Sequence, residues 1–340
     1  MGSQYYAVNA KLKAMSAGFL DKSDYDALLE KNSVGEICGY LKNNTVYGKT
    51  LENTNEEEIH RAEFEQLLNA ACYDDYIRIF RFMGLYERKV FNYYIIKKEI
   101  EYIKAAVKRI FKTVGGDEYG MPEPDEFLKK HTKVNFERLF KADDFYGILD
   151  ACRGTGYYKI LYRESTSDLK SEMIVMMLDI YYYRLLWNEV GRFIEEKSEL
   201  IDLFGKKIDI LNIMWVYRCK KYFNMPHEMI YTHIIPISYK MTRENLADIV
   251  SGDIDHLINT VKNTRYRKLF ENIDSGFAEE KYRYIMHDIL SKKFRRAKEP
   301  VTLAVAYILL RDNEIQNIKT IAEGKRYSSD PDSIKGLIVY

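Results

Sequence analysis

A Thr-x-Tyr signature recurs three times at almost constant spacing, as Thr45-Val46-Tyr47, Thr155-Gly156-Tyr157 and Thr264-Arg265-Tyr266. From Thr45 to Thr155 is 110 positions, and from Thr155 to Thr264 is 109. A second mark follows each copy: a charged residue, an aliphatic residue, any residue, then Asn. It stands at Lys89-Val90-Phe91-Asn92, Asp209-Ile210-Leu211-Asn212 and Glu314-Ile315-Gln316-Asn317. Two marks in one order, three times over, predict triplication of a single unit. A period of this length exceeds the roughly 20–50 residues of solenoid repeats and matches a small domain of about 100 residues. The predicted units are residues 1–115, 116–225 and 226–340.

The periodicity within each unit is helical. Ile96, Ile100, Ile103, Val107 and Ile110 step by four and three, which lines one helix face. Ile208, Leu211, Trp215, Cys219 and Tyr222 keep the same rhythm. The third stripe has Leu303, Tyr307 and Leu310, then Ile315, Ile318 and Ile321 beyond an interruption at Asp312-Asn313. Alternating strand patterns are rare, so the fold class is all-α. Ser23 with Asp26 and Ser33 with Glu36 read as capping boxes. They predict short helices over about 24–31 and 34–43. The stretch 115–122, Gly-Gly-Asp-Glu-Tyr-Gly-Met-Pro, reads as a linker, and Asn224-Met225-Pro226 as a second boundary.

Composition narrows the function classes. The chain has 340 residues, 46% of them hydrophobic, enough for packed cores. With 52 basic and 51 acidic side chains it lacks the basic excess of a nucleic-acid binder. The local run from Lys292 to Lys298 reads as a solvated helix face or loop. Cys38, Cys72, Cys152 and Cys219 are isolated, which suits a reduced cytosolic setting. No signal peptide is visible, and Tyr6 stands where a myristoylation motif needs Ser or Thr. The longest apolar run, Val301 to Leu310, falls far short of the roughly 20 residues of a membrane span.

Catalytic motifs fail on spacing. No phosphate loop occurs, and Gly154-Thr155-Gly156 lacks the third glycine of a dinucleotide fingerprint; it reads as a helix-ending turn. His227 and His233 are six apart, whereas two histidines must be one turn apart to share a zinc ion. The acidic pairs Asp74-Asp75 and Asp143-Asp144 point about 100° apart on a helix. They read as helix N-terminal charges or solvated surface. The group Tyr181-Tyr182-Tyr183 with Trp187 reads as aromatic packing between helices rather than a base-stacking platform. For the repeated Asn two readings stand: contact with a partner in a groove between units, or an amide bridging two helices within each unit. The second is preferred, because a buried amide fixes packing. The repeated Tyr reads as packing at a helix end.

The same residues carry a family resemblance. Tyr6-Ala7-Val8-Asn9-Ala10-Lys11-Leu12-Lys13-Ala14-Met15 and Tyr25-Asp26-Ala27-Leu28-Leu29 resemble the opening of the C-type subunit of prokaryotic V-type (A-type) ATPases, whose eukaryotic relative is the d-type subunit. The segment from Glu36 to Tyr47, the helix from Asn92 to Lys98 and the closing stretch from Glu314 to Lys325 with Pro331 and Ile334 extend the likeness over nearly the whole chain. The resemblance implies three similar helical domains around a pseudo-threefold axis, forming a funnel. It implies a non-catalytic rotor adaptor with no cofactor, cytoplasmic and peripheral to the membrane. Its implied partners are the D and F subunits of the central shaft and the membrane ring of proteolipid subunits. The competing expectations are an unrelated helical scaffold and an enzyme with a site between lobes. Thr45, Tyr47, Asn92, Thr155, Tyr157, Asn212, Thr264, Tyr266 and Asn317 are expected to be packing marks rather than active-site residues.

Overall fold

A computed structural model describes residues 2–111, 123–124, 126–164, 171–193, 196–271 and 278–340. The linker expected at 115–122 lies outside these residues. Every element described is helical. The chain begins with α1 (Gly2–Ser16), α2 (Lys22–Leu29), α3 (Val34–Asn44), a 3-10 turn at Val46–Lys49, α4 (Arg61–Phe80) and α5 (Leu85–Phe91). It continues through α6 (Tyr93–Ile110), α7 (Glu126–His131), α8 (Phe136–Lys141), α9 (Phe145–Ala151), α10 (Gly156–Glu164) and α11 (Ser171–Arg192). Then follow α12 (Lys197–Lys221), α13 (His227–His233), α14 (Arg243–Ser251), α15 (Ile254–Lys262) and a 3-10 turn at Arg267–Leu269. Last come α16 (Ala278–Arg296), α17 (Pro300–Arg326) and α18 (Pro331–Leu337). No helix among the described residues is long and apolar enough to cross a membrane. Two compact units result: residues 1–87, 198–203 and 258–340, and residues 88–197 and 204–257.

The first unit is built around α17, with α1, α3, α4 and α16 packed on it. Its first three turns are buried on all sides, from Pro300 to Leu310, as expected of a helix that is apolar all round. Pro300 opens it at a position where its missing N–H costs nothing. The apolar stripe is interrupted at Asp312-Asn313, and the helix runs on through both positions. Arg311 and Glu314 form a buried ion pair along the helix, and the Asn313 amide reaches Nδ1 of His287 on α16 at 2.9 Å. These polar residues serve contacts between helices, so the helix runs through them.

The short helices start where side chains cap them. Ser33 caps α3 as expected, accepting the Glu36 N–H at 3.1 Å. The Glu36 carboxylate takes the N–H of Asn32 instead of closing a full box. At α2 the box is Asp21 with Asp24, two positions before the expected Ser23 and Asp26. Ser23 itself donates to Asp21 Oδ1 at 2.6 Å. The basic run at the end of α16 is only partly solvated: Lys293 is drawn into ion pairs with Glu199 at 2.6 Å and Asp202 at 3.1 Å.

In the second unit α6 packs against α8, α9 and α11, burying Ile100, Ile103 and Val107. Lys104 of α6 pairs with Asp179 of α11. Tyr182 and Tyr183 are buried in α11, and the Tyr181 ring meets the Tyr157 ring edge-on with centroids 5.5 Å apart. Asn224 occupies the left-handed region, φ 43°, in the turn between α12 and α13. All four cysteines are buried. Burial pushes the Cys38 thiol up to about 11 and the Cys152 thiol up to about 12, which suppresses thiolate chemistry.

Candidate functional site: three buried acid anchors

Three of the long helices, α6, α12 and α17, each carry a buried acid at the centre of a set of hydrogen bonds. In α17, Glu314 accepts the Leu20 N–H at 2.6 Å and the Tyr47 hydroxyl at 2.7 Å. In α6, Glu99 accepts the Tyr157 hydroxyl at 2.6 Å, the Thr132 hydroxyl and the Lys133 N–H. In α12, Asp209 accepts three consecutive N–H groups, Tyr239 at 3.0 Å, Lys240 at 2.6 Å and Met241 at 2.9 Å. The backbone donors lie in the approach to a short helix, just before the caps Asp21 of α2, Asn135 of α8 and Thr242 of α14.

A cation ten or eleven positions further along the same long helix holds the other end of that short helix. Lys325 donates to the Leu29 carbonyl at 2.5 Å. Arg109 donates to the carbonyls of Leu139 at 3.1 Å and Ala142 at 2.9 Å. Lys220 donates to the Val250 carbonyl at 2.6 Å and to that of Gly252. A helix has free N–H groups and partial positive charge at its start, free carbonyls and partial negative charge at its end. An acid and a base spaced along one long helix therefore grip α2, α8 and α14 by complementary poles.

The Thr-x-Tyr marks are the next link. Thr45 Oγ1 donates to the Leu41 carbonyl at 2.6 Å and accepts the Tyr47 N–H at 3.2 Å. Thr264 does the same with Val261 at 2.8 Å and Tyr266 at 3.1 Å. Thr155 donates to the Cys152 carbonyl at 2.6 Å, next to Gly154 at φ 82°. Glycine meets no penalty in that left-handed conformation, and the Gly-Thr-Gly stretch is the helix-ending turn that its sequence suggests. In each copy a local Thr turn ends a helix and sends the Tyr inward: Tyr47, Tyr157 and Tyr266 are all buried.

Asn212 and Asn317 occupy equivalent places, three positions after the acid. Asn317 donates to the Val339 carbonyl at 2.6 Å and accepts its N–H at 3.0 Å. Asn212 donates to the Ile235 carbonyl at 2.9 Å and accepts its N–H at 2.8 Å. Each amide clamps the extended segment that follows a seven-residue helix, α18 or α13; Asn317 also bridges helices, donating to the Tyr25 hydroxyl of α2 at 3.1 Å and accepting from the Arg283 guanidinium of α16 at 2.7 Å. Asn92 is placed differently, at the N-terminal boundary of α6 and without a capping bond from its side chain. Three positions after Glu99 stands Tyr102, packed at 4.9 Å on the Phe136 ring. The signal for Glu99 was present in the sequence as an acid ten residues before Arg109. Lys89, which heads the mark at Asn92, has the wrong charge to accept those hydrogen bonds.

Two of the three acids take the Tyr of a signature that precedes or follows them by more than fifty positions in the sequence. Glu99 serves Tyr157, and Glu314 serves Tyr47. The last closure is reinforced by Arg311, whose guanidinium lies 3.2 Å from Asp75 of α4 and 4.5 Å from the centre of the Phe19 ring. Tyr307 donates to Asp75 at 2.7 Å. Asp75 is therefore an internal partner, neither a helix N-terminal charge nor solvated. Asp144 does cap α9, accepting the Gly147 N–H at 2.8 Å. Burial raises the Glu99 and Glu314 carboxyls above their ordinary range, with hydrogen bonds pulling the other way. Burial opposes the charge on Arg311, yet Glu314 beside it keeps the guanidinium protonated.

The cavity of the first unit does not assemble a reacting set among its described lining residues. About 550 Å³ in volume, it is lined by Tyr25, His287, Ser291, Arg295, Glu314 and Tyr340 among others. Asn313 donates to His287 Nδ1, so the ring's proton sits on Nε2 and faces Ser291 Oγ at 3.1 Å. A histidine in that tautomer cannot take the serine proton. Glu314 is already committed to Tyr47, Leu20 and Arg311. In α13 the His233 ring nitrogen Nδ1 faces the Met229 carbonyl at 2.5 Å. Among the described residues no group of three or more His, Cys, Asp or Glu side chains is placed to hold a metal ion.

Comparison with known proteins follows the same lines. A family model described as ATP synthase (C/AC39) subunit matches residues 8–337. The C-type subunit of the A-type ATP synthase of Methanocaldococcus jannaschii is 23% identical, over 98% of this chain and 86% of its own. Its counterparts in Methanobrevibacter smithii and Pyrococcus abyssi are each 26% identical, covering 97% and 98% of this chain and 86% and 90% of theirs. The match spans all three anchors, and the chain belongs to the ATP synthase (C/AC39) subunit family.

Proposed function

We propose that this chain is a non-catalytic central-stalk adaptor of an A/V-type ATP synthase, linking the D and F subunits of the shaft to the membrane proteolipid ring. It turns with both and passes torque between ATP turnover and proton or sodium movement. On this reading the units 1–115, 116–225 and 226–340 form three helical lobes about a pseudo-threefold axis, a funnel that takes the shaft at its mouth and rests on the ring, peripheral to the membrane on the cytoplasmic side.

The observation that carries the reading is the repeated grip of a short helix by one long helix, acid at one end and cation at the other. A part that transmits torque must resist shear. Paired, oppositely charged attachments fix both the position and the axial register of each short helix. The relatives, named as C-type components of A-type ATP synthases, supply the complex. The test is affinity purification through this chain from native membranes in mild detergent. Recovery of both shaft subunits and the ring is expected. A complex that retains shaft and ring in full after this chain is deleted, with ATP turnover still coupled to ion movement, would sink the adaptor role.

A further inference from the structure

The cavity of about 550 Å³ in the first unit falls within the roughly 300–1,000 Å³ of small-molecule sites. Its walls are of two kinds. The rings of Phe19, Tyr284, Phe294 and Tyr340 supply apolar surface, and Tyr340 stacks on Tyr25 with centroids 4.5 Å apart. The polar groups are unevenly committed. Glu314 is taken up by Leu20, Tyr47 and Arg311, and Asp288 pairs with Lys292 at 2.6 Å. Both lining carboxylates thus have a cation of their own, whereas donor protons are left over.

The surplus comes from Tyr25, Ser291 and Arg295. Tyr25 is only 2% exposed, and its hydroxyl oxygen accepts the Asn317 amide N–H at 3.1 Å. That amide cannot turn round, because Asn317 Oδ1 accepts from Val339 at 3.0 Å and from Arg283 at 2.7 Å. The Tyr25 O–H proton therefore meets no acceptor among the described residues. Ser291 accepts the His287 Nε2–H at 3.1 Å, and its own proton is likewise unmatched there. Arg295, one turn along the same face of α16, donates Nε to the Ser291 carbonyl at 3.3 Å. Its terminal nitrogens have no partner among the described residues, and it is the lining cation that no acid balances.

A buried hydroxyl proton without an acceptor carries a cost that an occupant bringing acceptors removes. A guanidinium with its terminal nitrogens open matches the two oxygens of a carboxylate. Aromatic walls suit a flat apolar body. We propose that this cavity is a binding site for a small aromatic carboxylate, with Arg295, Ser291 and the Tyr25 hydroxyl as donors to its oxygens and the four rings as walls for its apolar part. The site lies within one compact unit and is independent of the adaptor reading.

The test follows para-trifluoromethylbenzoate by fluorine NMR on the full chain, with para-trifluoromethylbenzamide as its uncharged counterpart. Saturable binding of the benzoate is expected, with the benzamide about tenfold or more weaker. Arg295→Gln, at an exposed position, should weaken the benzoate about tenfold or more and leave the benzamide as it was. Tyr25→Phe keeps the stacked ring and should weaken both probes by about twofold to tenfold, with helix content checked by circular dichroism. Absent or unsaturable binding of the benzoate overturns the assignment. So does equal affinity for the two probes, or equal affinity of Arg295→Gln and the parent chain for the benzoate, since binding would then owe nothing to the carboxylate or to this cavity.

Discussion

Tyr47 donates its hydroxyl to Glu314 at 2.7 Å, joining residues 267 positions apart and tying the last long helix to the N-terminal segment. The bond is buried, and Arg311 completes the carboxylate's surroundings. A buried acid that loses one of few donors has no water to replace it, so such a bond matters more by its loss than by its presence.

Tyr47→Phe removes that donor, together with the weak acceptor that the hydroxyl offers Arg311 at 3.5 Å. Hydrogen bonds to charged groups contribute about 1.5–3 kcal/mol, so a loss of that size in urea unfolding is expected. Arg311→Met is the harsher change. It leaves Asp75 and Glu314 without their shared cation, and breaking a buried pair costs about 3–5 kcal/mol. Equal stabilities for the two variants would refute this ordering.

Glu99 gives a pH dependence whose sign is fixed. Its folded carboxyl is raised above the ordinary 4.5, with burial the largest cause. The stability gained from the neutral form is complete below the unfolded value and is lost as pH rises through the folded one. Glu99→Gln cannot ionise and keeps a carbonyl acceptor for Tyr157. Relative to the parent chain, the variant should therefore gain stability as pH rises from about 4 to about 7. Urea midpoints across that range check it, and a difference that is flat or falls with pH would count against it.

The two clamping amides invite a matched pair of substitutions. Asn212→Ala and Asn317→Ala each leave one buried backbone N–H and one carbonyl without their partner. Each is expected to cost about 1–3 kcal/mol. The diagnostic readout is local: amide hydrogen exchange should speed up at Ile235 in the first variant and at Val339 in the second. Asn92→Ala, by contrast, removes no side-chain capping bond and should leave exchange at both sites as it was.

Gly205 on α12 lies under the Tyr239 ring. A Cβ there would stand 2.4 Å from Tyr239 Cγ, which is ring base rather than a mobile tip. The Tyr239 N–H is one of the three donors to Asp209, so displacing this residue also disturbs the anchor. Gly205→Ala should destabilise by about 1–3 kcal/mol, as overpacking does. Adding Tyr239→Ser should recover part of that loss, a non-additivity expected of residues in contact. Strict additivity in thermal melts would contradict the steric account.

Short-range chemistry was what the order of amino acids determined unaided. The helical class followed from apolar spacing. The Thr turns, the Ser33 cap and the Gly154 turn followed from side chains that bond to backbone within four residues of themselves, a geometry that needs no distant partner. The threefold recurrence of Thr-x-Tyr was legible for the same reason, and Asn212 and Asn317 were legible as a recurring pattern, although the backbone groups they hold lie more than twenty positions away. The tertiary structure alone decided which groups those marks serve. It passed over Asn92 and set Glu99 at the first anchor, carried α17 unbroken through Asp312-Asn313, and drew Asp75 from the expected surface into a pair with Arg311. It also joined two of the acids to tyrosines far away in the sequence, so that Glu314 closes on Tyr47. A buried acid needs donors, and burial is a property of packing between distant segments rather than of neighbours in sequence. Periodicity sets where such groups recur, while the fold sets which donors reach them.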